Sequence, residues 1–423
     1  MTYFIDPFGC AKNQVDAENM MAYLNKTGWA AASDAAAADL IIVNSCGFIE
    51  SAKQESINAV LAWRKHYPGK KILLAGCLAQ RYSRELAESL PEADGLFGLG
   101  DWACLSGTGE RPLLSLPGSA YVKISEGCDN RCSFCAIPLI RGPLKSRSVK
   151  ELVEECKALL GRGIGELCLI GQDLGSYGRD LNGPGGLCGL LEELLGLEGD
   201  FWLRLLYVHP DHFPLPILDL MEREKRLLPY FDIPFQHGSE KILRAMGRQG
   251  NAESYLGLIK TIRSRFPDAV IRSTFMTGFP GETQEDFELL LDFQQKASLD
   301  WLGCFAYSRE EDTPAYSMKG RVAKKLAAER KSLVEEAQIP ITERQMDRFI
   351  GRSFDVLVEE KFAPGEDGLY LGRLPCHAPE VDGAAVILDA ESLNLGARVP
   401  CQVTGRSGFD LRVRPKVNGI SRR

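Results

Sequence analysis

Between residues 121 and 348 a short apolar run alternates with a helical segment, and the pattern recurs six times. The runs are YVKIS, ELCLIG, WLRLLYV, FDIPF, AVIRSTF and WLGCFAY, all of strand length and rich in β-branched and aromatic residues. Stretches such as SVKELVEECKALLGRG and TQEDFELLLDFQQKAS separate them, with apolar residues at helical spacing. Six consecutive βα units imply an α/β architecture in which the strands form an open, partial (β/α)6 version of a parallel barrel. The charged segment AKKLAAERKSLVEEAQIPITERQMDRF reads as a solvated helix leading out of it.

The flanks differ from this core. Residues 1–106 alternate the strand-like TYFID, LIIVN and KILLAG with VDAENMMAYLNKTG and SAKQESINAVLAWRKHY, which predicts a small parallel α/β domain. Residues 107–120, GTGERPLLSLPGSA, read as a linker. Residues 349–415 carry five short strand signals between turns rich in Gly, Pro and Asp, so a small antiparallel β-barrel is expected. A chain of 423 residues can hold this many cores. The opening MTYFIDPFGCAKN lacks the basic-then-apolar layout of a secretory signal, and no run of about 18 apolar residues is present to span a bilayer. A cytoplasmic protein with no membrane contact is therefore expected, and 13 cysteines in that compartment point to metal or thiol chemistry rather than disulfides.

The cysteines fall where such folds keep their chemistry. Cys10, Cys46 and Cys77 each follow closely on one of the three N-terminal strands. The carboxyl ends of parallel strands line the ligand crevice, so the three are expected to converge on a shared metal site. The bland alternative is three small buried apolar residues. A second trio, Cys128, Cys132 and Cys135 in SEGCDNRCSFCAIPLIRG, follows the first barrel strand. Four thiolates would close an iron–sulfur cubane or a zinc site, whereas three leave one iron coordinatively open for a small molecule. Structural zinc is the competing reading, and it lacks a nearby fourth ligand.

The CxxxCxxC spacing after strand one, with Phe134 before the last cysteine, resembles the radical S-adenosylmethionine (SAM) superfamily. Taken with FGCAKNQVDAE, VNSCGFIESAKQESI, AGCLAQRY, DIPFQHGSEKIL and GFPGET, the whole chain resembles the radical SAM methylthiotransferases. Ala17 and Ser45 stand where Ser and Thr are commoner in that family. The resemblance implies an N-terminal domain, a radical SAM core and a terminal TRAM β-barrel. It further implies two 4Fe-4S clusters, one held by Cys128, Cys132 and Cys135 and the other by Cys10, Cys46 and Cys77. SAM would serve both for sulfur methylation and for radical hydrogen abstraction, with the cofactor supplying the chemistry. A low-potential electron donor such as a flavodoxin is also implied.

One branch of the family methylthiolates an adenosine of tRNA, and the other the β-carbon of an aspartate in ribosomal protein S-twelve. NSCGFIESAKQESI, GCAKNQVD, KISEGCDNRCSFC and APEVDG resemble the ribosomal-protein branch, and GFIESA stands where the tRNA branch tends to carry a basic stretch. Charge agrees: residues 349–415 hold ten acidic and seven basic groups, a net −3 that suits a basic protein better than RNA. Glu359, Glu380 and Asp382 are the acids expected to dock it. A non-catalytic iron–sulfur or zinc protein is the reading from another class.

Other residues carry further expectations. Gln172 and Asp173 end the second barrel strand, where the family contacts the SAM amino group. Arg204, mid-strand in WLRLLYV, is expected to meet the SAM carboxylate or to pair with an acid such as Asp232. His209, His212 and His237 read as loop caps rather than proton shuttles. GFPGET (278–283) is expected near adenine. Cys104, Cys156, Cys168, Cys188, Cys304, Cys376 and Cys401 share no spacing and read as packing or surface residues.

Overall fold

The run LIIVNS is apolar on both faces because its strand is central. In the computed structural model, which describes residues 1–100, 110–181, 185–362, 368–390 and 392–416, all six of its residues are buried. The N-terminal elements are β1 (Thr2–Pro7), α1 (Ala11–Lys26), β2 (Ala30–Ala31), β3 (Leu40–Ser45), α2 (Glu50–His66), β4 (Lys71–Gly76), α3 (Cys77–Arg81), α4 (Ser83–Ser89) and β5 (Gly95–Phe97). The sheet runs β2-β1-β3-β4-β5 and is parallel throughout. The three strands that carry cysteines at their ends are therefore neighbours. The flanking β2 and β5 are too short to register as apolar runs.

The central region begins with β6 (Ser119–Lys123). A two-residue ladder of β7 (Ser125–Glu126) with β8 (Lys145–Ser146) then encloses α5 (Ile137–Arg141). Next come α6 (Val149–Gly161), β9 (Glu166–Ile170), α7 (Gly186–Leu195), β10 (Trp202–Leu205), α8 (Ile217–Arg223) and β11 (Tyr230–Asp232). The region ends with α9 (Glu240–Ala245), α10 (Ala252–Arg265), β12 (Val270–Thr277), α11 (Gln284–Ala297), β13 (Trp301–Ala306) and α12 (Lys324–Asp347). The strands lie in chain order as two parallel triplets, β6-β9-β10 and β11-β12-β13. Backbone bonds stitch the seam, from Leu203 N to Arg226 O (2.7 Å) and from Val208 N to Asp232 O (2.9 Å). Reciprocal capping boxes at Ser148, Asn251 and Thr283 start α6, α10 and α11. Alternation along each strand sends Val122, Leu167, Leu169, Leu203 and Leu205 outward into the helices. Tyr121, Cys168, Trp202, Tyr230 and Trp301 face the concave side.

That concave side is filled by the C-terminal domain. Strands β14 (Ser353–Lys361), β15 (Tyr370–Arg373), β16 (Ala385–Ile387), β17 (Arg398–Ser407) and β18 (Asp410–Pro415) close a barrel in the order β14-β15-β16-β18-β17. The expectation of an antiparallel barrel needs one correction: β16 and β18 pair in parallel, because β17 intervenes between them in the chain. The segment 374–384 then plugs the open barrel from below. Trp301 Nε1 donates to Cys376 O (3.2 Å), and Tyr230 Oη donates to Asp382 Oδ2 (2.6 Å).

Arg204 pairs with a barrel acid, the second of its two expected roles, and its contacts lie in this plug. It is 0% exposed; Nε donates to Glu166 Oε1 (2.7 Å) and Nη1 to Pro375 O (2.9 Å). Its acid is Glu166; Asp232 is taken by Arg272 at 3.4 Å. Arg373 completes the ladder, donating to Glu166 Oε2 (2.5 Å) and to Glu359 Oε1 (2.7 Å). An uncompensated buried charge is costly, so each cation here is matched by an acid. Glu359 and Asp382 are thus interior ties and cannot dock a partner. Among the described residues the exposed acids of this domain are Asp355, Glu360, Glu380 and Asp389.

The expected linker is also tied down in its described part. Arg111 is 1% exposed, donates from Nε to Glu18 Oε2 of α1 (2.7 Å), and reaches Glu155 of α6 and the Tyr121 carbonyl. Residues 107–109, and Cys104 before them, lie outside the described residues. Among the described residues no helix is long and apolar enough to cross a membrane.

Candidate active site

The first trio stands on three adjacent strand ends. Cys10 closes the turn after β1 and caps α1, Cys46 follows β3 directly, and Cys77 opens α3 at the end of β4. The turns are tight. Gly9 has φ +99°, and a Cβ there would lie 2.7 Å from Asn13 Nδ2 and 3.3 Å from Cys46 Cβ, so only glycine fits. Asn13, three residues after Cys10, is the hub. Its Nδ2 donates to Ser45 O (2.9 Å), and its Oδ1 accepts from Cys77 Sγ (3.3 Å) and from Arg141 Nη2 (2.8 Å). Burial pushes the Cys77 thiol up to about 12 and raises that of Cys46. For Cys10 burial acts in the same direction, but the charges of Lys12 and Arg141 outweigh it and the thiol is lowered.

The second trio lies on the loop between β7 and α5. Cys128 N donates to Gly142 O (3.1 Å) and Cys135 N to Cys132 O (3.1 Å). Burial raises all three thiols, Cys128 to about 11 and Cys135 to about 12. Thiols held protonated in this way release their protons when metal binds. Asp173 anchors the loop from the β9 end. It accepts from Asn130 Nδ2 (2.9 Å), Ser176 Oγ (2.6 Å), His212 Nδ1 (3.1 Å) and His209 N (3.1 Å). Burial alone would raise this carboxyl, but these donors hold it far below the ordinary carboxylate range. Asp173 is therefore fully engaged in positioning the loop. His209 sits with Nε2 3.9 Å from Cys132 Sγ, its Nδ1 accepts from Asp211 N (3.2 Å), and burial lowers its pKa to about 3. It is a neutral loop cap. His237 likewise accepts from Ser239 N (2.9 Å) while facing Glu282 of GFPGET at 3.3 Å. Phe134 packs with Ile242, Met246, Phe279 and Ala315, which brings the GFPGET turn beside the cysteine loop.

The two loops are joined by α5. It begins two residues after Cys135 and ends at Arg141, whose guanidinium reaches the other trio. Nη2 lies 3.1 Å from Cys77 Sγ and 2.9 Å from Asp16, while Nη1 donates to Glu126 (2.7 Å). Motif residues hold the same interface from the N-terminal side: Lys53 and Arg81 both pair with Glu310 beyond β13, at 3.1 and 2.8 Å. Arg141 and Asn13 carry no cysteine-like signal, so reading the sequence missed them; an arginine six residues after a cysteine motif gives no hint of which domain it will touch.

Each trio offers three free thiols, the donor type that iron–sulfur clusters take. Among the described residues no three His, Cys, Asp or Glu side chains come close enough to share one metal ion. Cluster ligation asks for wider spacing, because each thiolate binds its own iron. Arg248 supplies a second indication. It is 5% exposed, its Nε and Nη1 are buried without a partner, and its charge acts on Cys132 and Cys135. An unpaired buried cation beside two of these thiols suits an anionic group bound there. Gln172 directs Nε2 to Glu126 (3.3 Å) and leaves Oε1 buried and unpartnered, an acceptor available to a donor on a bound molecule. A cavity of about 320 Å³ opens beside Cys132, lined by Asn130, Ser176, His209 and His212 among others. The remaining described cysteines are packing residues: Cys156, Cys168, Cys304, Cys376 and Cys401 are buried and Cys188 is half-buried.

Residues 2–98 match the uncharacterized protein family UPF0004, residues 122–293 the radical SAM superfamily, and residues 350–415 the TRAM domain. Among curated proteins the chain is 47% identical to the ribosomal protein uS12 methylthiotransferase RimO of Treponema denticola, over 96% of this chain and 99% of the relative. It is 42% identical to the protein of that name from Desulforudis audaxviator, over 96% and 95% of the two chains. Among solved structures it resembles the radical SAM methyltransferase TsrM from Kitasatospora setae, with tryptophan substrate and a SAM analogue bound. There the TM-score is 0.55 at 15% identity over 74% of each chain, a likeness of fold. Identity of this level over nearly the whole length leaves one assignment: the chain belongs to the RimO family of radical SAM methylthiotransferases.

Proposed function

We propose that this protein methylthiolates the β-carbon of an aspartate in ribosomal protein uS12, in the cytoplasm. We assign one 4Fe-4S cluster to Cys128, Cys132 and Cys135 and a second to Cys10, Cys46 and Cys77, with Phe134 and Gln172 against SAM. When bound, SAM and the clusters supply a hydrogen-abstracting radical and a methylated sulfur, which an unactivated carbon requires because it offers polar chemistry no leaving group. The chain's own residues bring the two loops to one crevice and hold them there. Asp173 and Asn130 fix the second loop, Asn13 fixes the first, and Arg141 ties one to the other. That tie is the observation that carries the reading, since a group passed between two centres requires their loops to abut.

The outward acids Asp355, Glu360, Glu380 and Asp389 support a basic protein partner. Arg352, Arg373, Arg398 and Arg406 are occupied by Asp268, Glu166, Asp200 and Glu343 of the central region, and the exposed cations among the described residues here are Lys361, Arg412, Arg414 and Lys416. A low-potential donor such as a flavodoxin would reduce the cluster. Reconstituted enzyme offered uS12 and tRNA together under anaerobic reduction tests the reading. One added methylthio group on uS12, with unmodified tRNA, is expected. Modified tRNA with unmodified uS12 would place the protein in the other branch.

A further inference from the structure

Lys12 is a buried lysine without an acid. It is 8% exposed, and its Nζ meets only the Gly171 carbonyl at 3.4 Å and the face of the Tyr207 ring at 3.4 Å. Among the described residues no carboxylate lies within ion-pairing distance of it. The other buried cations of this interface are matched: Lys123 by Asp16 and Glu126, Arg141 by the same two acids, and Arg111 by Glu18 and Glu155. An unmatched ammonium is costly to keep out of water, and this one sits two residues from Cys10.

Its place is between the two cysteine loops. Lys12 meets the end of β9 at Gly171, and two residues on Asp173 holds Asn130 of the second loop. Tyr207, beneath the ammonium, lies two residues beyond β10 in the left-handed region at φ +70°. A non-glycine residue is held in that strained conformation only by its surroundings, here by the bond from Tyr207 N to Asp232 Oδ2 (3.2 Å). Cys10 beside it is solvent-exposed, and the Lys12 ammonium packs on Tyr207 and the Gly171 carbonyl next to that cysteine.

We infer that Lys12 is the receptor for the side-chain carboxylate of the substrate aspartate, and so sets the choice of an acidic residue over its amide. The inference rests on the reading of uS12 as substrate. The carboxylate is one bond from the carbon to be modified, so a cation fixed between the loops orients that carbon toward both. It also gives the protein a means of rejecting a neutral side chain, since an amide would leave the ammonium unpaired.

The test compares binding of uS12 with that of its Asp→Asn version, altered at the position the wild-type enzyme modifies. Fluorescence anisotropy is measured on non-reduced holoenzyme, with Lys12→Met, Lys12→Gln and Lys12→Arg alongside wild type. Wild type should bind the aspartate form about tenfold or more tightly, the scale of a charged hydrogen bond out of water. In Lys12→Met and Lys12→Gln that ratio should fall to about one with the iron content kept at the wild-type level, and Lys12→Arg should restore part of it. A preference retained in Lys12→Met, or absent from wild type, would overturn the inference. Loss of iron in both neutral variants would overturn it as well, because it would assign Lys12 to cluster support. Failure of the substrate reading itself is distinguished by wild type alone, through an unmodified uS12.

Discussion

Asp382 is the acid on which the C-terminal plug turns, and its environment makes a measurable prediction. Its side chain is wholly buried, with Oδ2 accepting from Tyr230 Oη (2.6 Å) and Ala378 N (2.8 Å) and Oδ1 3.4 Å from Arg272 Nε. Burial outweighs these partners and pushes the carboxyl up to about 6 from an ordinary 3.8. The folded chain therefore holds a proton that the unfolded chain has released between about pH 4 and 6, and stability falls as pH rises through that window. About two pKa units at ~1.4 kcal/mol each give a loss of about 2 to 3 kcal/mol between pH 4 and pH 7. Asp382→Asn removes the titration while keeping an oxygen for Tyr230 and Ala378. Urea unfolding of the two proteins at both pH values isolates it, because the other raised acids, Glu359, Glu380 and Asp300, cancel in the comparison. The gap between wild type and variant should shift by about 2 to 3 kcal/mol toward the variant on going from pH 4 to pH 7. A gap that stays constant would refute the placement of Asp382 in a dry interface.

Three further outcomes are expected. Replacing Cys128, Cys132 and Cys135 with Ala should remove about half the iron and abolish 5′-deoxyadenosine formation; replacing Cys10, Cys46 and Cys77 should also halve the iron and stop methylthiolation while 5′-deoxyadenosine still forms. Loss of all radical chemistry in the second variant, with the fold intact by circular dichroism, would contradict that division. Arg111→Met should destabilise the protein by about 3 to 5 kcal/mol, since Glu18 and Glu155 would stay buried with fewer partners; unchanged urea unfolding would contradict it. Reversing Asp355, Glu360 and Asp389 to Lys should weaken uS12 binding, most at low salt, and an unchanged affinity there would remove these acids from the docking surface.

What could be read from the sequence was what local pattern encodes. The six apolar runs gave the six central strands, and each member of the first cysteine trio could be placed at a strand end because TYFID, LIIVN and KILLAG are apolar enough to stand out. The second trio announced itself by spacing. Charge was harder, because a lone charged residue carries no record of its partner. Arg204 allowed two readings, a ligand contact or an ion pair, and it meets Glu166 one strand away and a carbonyl 171 residues on. Glu359 and Asp382 counted toward an acidic surface, yet both point into the barrel. Arg141 follows one trio in sequence and touches the other in space. The short strands β2, β5, β7 and β8 hold two or three residues each, below the length at which alternation can be seen. The parallel β16–β18 pair depends on barrel closure, which no local signal records.

The central claim is that hydrogen is taken from the β-carbon of a uS12 aspartate held between the two cysteine loops. Preparing uS12 with aspartate deuterated at that carbon, and measuring deuterium in the 5′-deoxyadenosine formed during methylthiolation, tests it most directly. Deuterium carried into 5′-deoxyadenosine, in step with its loss from the modified aspartate, is the predicted result. Methylthiolated uS12 that retains both deuterons, alongside unlabelled 5′-deoxyadenosine, would contradict it.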